Sequence, residues 1–153
     1  MSEQKKDLVT SFNKENPKTK YILISVAAFL ISSFLPWITT VFGVAMGGWN
    51  GLNSLGNLAA IATIAFWILP KFNIDLGDLS KKTDLIYKVL SAIMAGSVIF
   101  FILQSEFAFS VYGIGAYLGM ISAGAYIYFT FLMPNPKKVN TIDKPEKNNN
   151  KNK

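Results

Sequence analysis

Residues 21–69 read YILISVAAFLISSFLPWITTVFGVAMGGWNGLNSLGNLAAIATIAFWIL, 49 residues without an Asp, Glu, Lys or Arg. A water-soluble domain in a chain of 153 residues needs charge around all its elements, and this stretch supplies none. Working outward, residues 89–136 hold 48 more with Glu106 as their single charge. The other 23 charges fall in residues 1–20, 70–88 and 137–153. Apolar types make up 51% of the chain and charged types 16%. Charge confined to three short segments around two long uncharged ones indicates an integral membrane protein rather than a greasy globular domain.

Within these stretches the reading predicts an all-α membrane protein, a four-transmembrane-helix bundle with spans at 21–38, 52–69, 85–103 and 113–133. Eighteen helical residues rise about 27 Å, close to the ~30 Å of hydrocarbon in a bilayer. Pro36 should kink or end the first helix, Pro70 ends the second, and Pro134 and Pro136 end the fourth. The 20-residue polar lead and the lack of an A-x-A-like cleavage site mark the first span as an uncleaved anchor. Residues 39–51, with four Gly and no charge, read as an outer loop with room for a short hairpin. Residues 1–20 form a polar tail that reads as disordered, although Leu8, Val9 and Phe12 would suit a short interfacial helix. Residues 134–153, rich in Lys, Asn and Pro, have too little apolar surface to offset ordering entropy. Thr83 or Asp84 is the expected N-cap of the third helix.

Orientation follows from lysine. Along the chain the segments flanking the spans carry five, none, four, none and six Lys. The positive-inside rule then puts both termini and the middle loop in the cytoplasm, as expected of a multi-pass protein of the cell membrane. Tyr21 and Trp67 should anchor the inner interface, and Trp37, Trp49 and Tyr112 the outer one.

Lipid tails are as apolar as Leu, so small residues that allow close backbone approach should mark the inward faces. The fourth span has Gly115, Gly119 and Ala123 at four-residue steps, and the third has Ala92 and Gly96, with Ser91 and Ala95 one residue earlier. The second has Ala59 and Thr63, and the first Ala28 and Ser32. These stripes are expected to face each other. The alternative is that the Gly115/Gly119 face binds a second copy or another membrane protein.

Several chemistries lack their residues. Without Cys there is no disulfide and no thiol nucleophile. Without His the commonest general base and transition-metal ligand is missing. All fifteen cations are Lys, which argues against a bidentate phosphate clamp. The net charge of +6 flanks apolar spans rather than forming a basic face, so nucleic acid is not an expected partner. Asp75 and Asp78 beside Lys81 and Lys82 fall short of a calcium loop, so no metal or cofactor is expected. A polar cluster of Asn53, Asn57 and Glu106 at the outer end has two readings. The two Asn satisfy the backbone of the Gly-rich loop or line an outer vestibule, and Glu106 is solvated or binds an extracellular cation or partner.

Leu35-Pro36-Trp37, the turn with Trp49-Asn50-Gly51-Leu52, and Tyr112-Gly113-Ile114-Gly115-Ala116-Tyr117 resemble segments of small, uncharacterised bacterial membrane proteins of four spans. The resemblance covers most of residues 21–133 and implies the topology without an activity. A fainter likeness to claudins lies in the Trp49-Asn50-Gly51-Leu52 segment, but the paired cysteines of the claudin loop are missing and no claudin function follows. The functional expectation is a non-enzymatic accessory or interaction subunit, partnered by the lipid bilayer and by another membrane protein or itself. The alternative is an oligomeric pore or a component of a small-solute transporter.

Overall fold

A computed structural model describes residues 2–39, 45–49, 53–72, 74–104 and 112–134. Helix α1 spans Ser2–Lys14, α2 Pro17–Ser33, α3 Asn53–Ile68, α4 Asp78–Lys81, α5 Thr83–Gln104 and α6 Ile114–Ile127. Strands β1 (Pro36–Thr39) and β2 (Ala45–Gly47) form an antiparallel hairpin between α2 and α3. Among the described residues three helices are long and apolar enough to cross a membrane: Ser54–Phe72, Thr83–Leu103 and Ile114–Leu132. Helix α2 is shorter, at 17 residues, and opens on Lys18 and Lys20.

Local chemistry sets these boundaries. Asn16 caps α2 by accepting from the Thr19 amide at 2.8 Å, and Pro17 takes the first helical position, where no N–H is needed. This start precedes the expected Tyr21 by four residues and separates α2 from α1. Residues 1–20 are thus not the disordered tail that the sequence suggested, since α1 is formed and Phe12 packs edge-on against Trp67 at 6.2 Å. Helix α2 also ends early, at Ser33. Pro36 disfavours helical geometry at Leu35, and the chain turns into β1 instead of carrying helix to residue 38. Pro36 stands first in its strand, where a missing donor costs least. Pro70 does not stop its span: α3 tightens into a 3-10 turn, Leu69–Phe72. Helix α6 widens into a π turn over Tyr128–Leu132.

Helix α2 packs on α3 and α6, and α5 packs on the same two, which closes a ring of four helices. One end of the ring carries the hairpin, and the other carries the described lysines. The inside holds Ile22, Val26, Phe29, Ala60, Met94, Val98, Ala116 and Tyr126, with a high share of small hydroxyls such as Ser25, Ser91 and Ser122. The outside presents Ile24, Ile31, Leu58, Val89, Ile99, Ile121 and Leu132. Large aliphatic groups outside and small or polar ones inside suit a hydrocarbon solvent, where helices associate by close approach and hydrogen bonds.

The small-residue stripes fall unevenly. Ser32, Ala59, Thr63, Gly115, Gly119 and Ala123 are buried, and Ala28 is half-buried. Ala92 and Gly96 are exposed, and nothing lies within 4 Å of where a Gly96 side chain would stand. Helix α5 instead turns Ser91, Met94, Ala95 and Val98 inward, about one residue of helical rotation from the expected face. Gly124 also faces outward.

Candidate functional site

The hairpin end is built around Trp37. Strand β1 pairs Pro36 with Gly47 and Ile38 with Met46, so Trp37 is the extra residue of a bulge. Bulges re-aim side chains, and this one turns the indole into the ring of helices, where it is 1% exposed. Its Nε1–H donates to the Ser32 carbonyl at 2.8 Å. Phe29 and Phe101 meet it edge-on at 6.1 and 5.1 Å, and Phe101 leads on to Tyr112 at 5.7 Å. A side chain at Gly119 would stand 2.6 Å from the indole Cζ2, and one at Gly115 would stand 2.7–2.8 Å from the carbonyl oxygens of Ser32, Leu35 and Pro36. Those two glycines are where α6 approaches the turn from α2 into the hairpin. Trp37 and Tyr112 are therefore interior residues and not the interface anchors expected of them.

Main-chain bonds fix the hairpin to its surroundings. The Gly48 amide donates to Ser33 O at 3.0 Å, and the Gly113 amide donates to Trp37 O at 2.9 Å. Ile38 bridges to Tyr112. Asn57 completes the junction: its Nδ2 donates to Gly48 O at 3.1 Å, and its Oδ1 accepts from the Ser33 hydroxyl at 2.5 Å. Asn57 is fully buried and serves the loop backbone, the first of its two expected readings. Asn53 opens α3, but its side chain and Glu106 lie outside the described residues, so the three are not brought together here. Outside the junction, Trp49 and Phe34 meet at 6.1 Å and are 43% and 77% exposed.

The lysine end is tied by charge. Asp84 takes Lys18 at 3.5 Å and Lys88 at 2.8 Å, the latter one helical turn away on α5. Glu15 accepts at one oxygen from Lys71 at 2.7 Å and from the Trp67 indole at 2.9 Å. Trp67 thus sits where an anchor was expected but is bound to the protein, while half-exposed Tyr21 stacks on Phe129 at 4.9 Å. Between the two ends, Thr63 and Tyr126 share a hydrogen bond at 2.8 Å. The sequence reading missed Ser33, Glu15 and Tyr126; the paired serines at 32–33 in an apolar span were the available signal for the first. No known protein family, no curated protein and no solved structure matches the chain. The resemblance to small four-span proteins accordingly transfers no residue role.

Proposed function

We propose that the chain is a non-enzymatic accessory subunit of the cell membrane that works by binding another membrane protein. In this reading α2 and the hairpin supply a fourth crossing, and the lysine end, with both termini, faces the cytoplasm. Lysine on alternate flanking segments supports that orientation. The observation that carries the reading is the exposed Phe34–Trp49 pair flanking the base of a hairpin locked to α2, α3 and the start of α6. A pre-organised aromatic edge loses little entropy on binding, and Trp is among the residues that dominate interface energies. A solute path through the inside of one bundle has less support, because Trp37 fills the space between α2, α5 and α6 at that end.

The test is affinity capture from cross-linked native membranes, with wild type beside Phe34→Ala/Trp49→Ala. A stoichiometric partner held by wild type and released by the double variant is the expected result. Selective solute flux through liposomes containing the purified protein alone would overturn the reading. Reporter fusions at the termini test the orientation, and signal from outside the cell would reverse it.

A further inference from the structure

Three segments far apart in sequence converge on a cleft of about 240 Å³ at the lysine end. The α1–α2 junction contributes Glu15, the end of α3 and the 3-10 turn after it contribute Trp67 and Lys71, and α4–α5 contributes Ser80, Thr83 and Tyr87. Within it Glu15 and Lys71 pair at 2.7 Å, with side chains 24% and 23% exposed. The Lys71 ammonium also lies 4.5 Å from the centre of the Trp67 ring, whose N–H is held by Glu15. One carboxylate, one ammonium and one amphipathic ring therefore hold each other in place beside open space.

The charge pattern selects the ligand. A partly desolvated ion pair is costly to break when one member is left unpaired. A ligand with a single charge would strand either Glu15 or Lys71, and an uncharged ligand would gain from neither. A zwitterion replaces one pair by two. Ser80 and Thr83 already donate their hydroxyls to Gly77 O and Ser80 O, at 2.9 and 2.6 Å. While those bonds hold, their oxygens face a ligand as acceptors, which suits an ammonium. The volume lies below the roughly 300–1,000 Å³ of sites for drug-sized molecules, so it fits a headgroup better than a larger metabolite. The walls include the end of one candidate span, Ser54–Phe72, and the start of another, Thr83–Leu103. Trp and Tyr at such ends are the residues that prefer headgroup depth.

We propose that this cleft binds the headgroup of a zwitterionic aminophospholipid, with the ammonium against Glu15 and the phosphate against Lys71. The proposal rests on the membrane reading and is independent of any protein partner. The test uses purified, delipidated full-length protein and native mass spectrometry. Phosphatidylethanolamine, phosphatidylglycerol and soluble phosphoethanolamine are offered separately. One phosphatidylethanolamine should be retained per protein, about tenfold more tightly than phosphatidylglycerol, a difference of about 1.4 kcal/mol. Glu15→Gln and Lys71→Met should each abolish that preference while leaving helical circular dichroism unchanged. Glu15→Lys/Lys71→Glu, which keeps an ion pair, separates loss of the site from loss of the fold and should recover part of the preference. Equal retention of phosphatidylglycerol, or a preference unaffected by Glu15→Gln and Lys71→Met, overturns the proposal. Equal affinity for soluble phosphoethanolamine overturns the lipid as the source. Carbonate extraction of the same membranes reports the membrane reading separately: protein in the pellet with no headgroup bound overturns the cleft assignment alone.

Discussion

Gly119→Ala is the most informative single substitution, because one methyl group is aimed at one ring. The added carbon would stand 2.6 Å from Cζ2 and 2.8 Å from Cη2 of Trp37. Ordinary carbon contacts begin near 3.5 Å, so the ring must retreat by about 0.9 Å. It is poorly placed to do so. Its Nε1 is bound to Ser32 O at 2.8 Å, its Nε1 edge lies against Gly48, and the Phe101 ring is 5.1 Å away. A 0.9 Å stretch of that hydrogen bond would take it past about 3.6 Å, where it no longer counts as one. Overpacking of this kind costs about 1–3 kcal/mol. The assay is reversible unfolding in mixed dodecylmaltoside–SDS micelles, followed by far-ultraviolet circular dichroism. Trp37→Phe removes the benzo-ring atoms and should relieve the clash at the cost of the Ser32 bond. In the Trp37→Phe background, Gly119→Ala should then cost almost nothing, giving a coupling of about 1 kcal/mol or more in the double-mutant cycle. Additivity within about 0.5 kcal/mol would refute the account of Trp37 as a side chain seated between α2 and α6.

The other substitutions are read in the same assay. Asn57→Leu removes the bonds to Ser33 and Gly48; at about 0.6–1.7 kcal/mol each in a membrane, the loss should be about 1–3 kcal/mol, with faster hydrogen exchange at the Gly48 amide. Thr63→Val and Thr130→Val make the same chemical change with opposite expectations. The first breaks a bond between α3 and α6 and destabilises by about 0.6 kcal/mol or more, whereas the Thr130 hydroxyl is buried without a partner among the described residues, so its removal should be neutral or stabilising. Gly96→Leu should leave the unfolding midpoint unchanged, because the position is open to its surroundings; a loss comparable to that of Gly119→Ala would place Gly96 in a helix contact.

What the sequence disclosed and what it hid have separate physical causes. Charge is either tolerated or expensive at a given depth, so the lysine counts divide the chain into its two ends without knowledge of packing. Gly115 and Gly119 are also legible, since only a close approach rewards glycine in a helix. Rotation about a helix axis is harder. In a soluble helix the polar stripe marks the outside, but here Met94 and Val98 face inward while Ile93 and Ile99 face outward, and hydropathy does not separate them. Two small pairs one residue apart, Ala92/Gly96 and Ser91/Ala95, competed for α5, and the tertiary fit chose the second. Trp37 reads as an anchor because Trp at the end of a span usually sits at the interface. What reversed it was a bulge, a pairing offset between β1 and β2 that no local pattern encodes. The cleft at the other end joins Glu15 to Trp67 and Lys71 across 52 and 56 residues, separations that only the fold closes.

The hydrogen bonds also divide by what they can specify. Ser25, Ser32, Ser91 and Ser97 each donate to a carbonyl three or four residues back on their own helix. Such bonds make a hydroxyl tolerable inside hydrocarbon, but they form equally well whichever helix lies opposite. Choice of partner must come from bonds that cross between elements. Among the described residues these include Ser33–Asn57–Gly48 near the hairpin, Thr63–Tyr126 between α3 and α6, and Lys18–Asp84 and Glu15–Lys71 at the lysine end. They join different elements, and sliding one helix by a turn, about 5.4 Å, along its neighbour would separate the bonded partners. The local serines make the interior small enough for the helices to meet, and the crossing bonds decide in which register they do so. Removing a crossing bond should therefore broaden the unfolding transition as well as lower its midpoint, whereas replacing a locally bonded serine by Ala should leave the width unchanged.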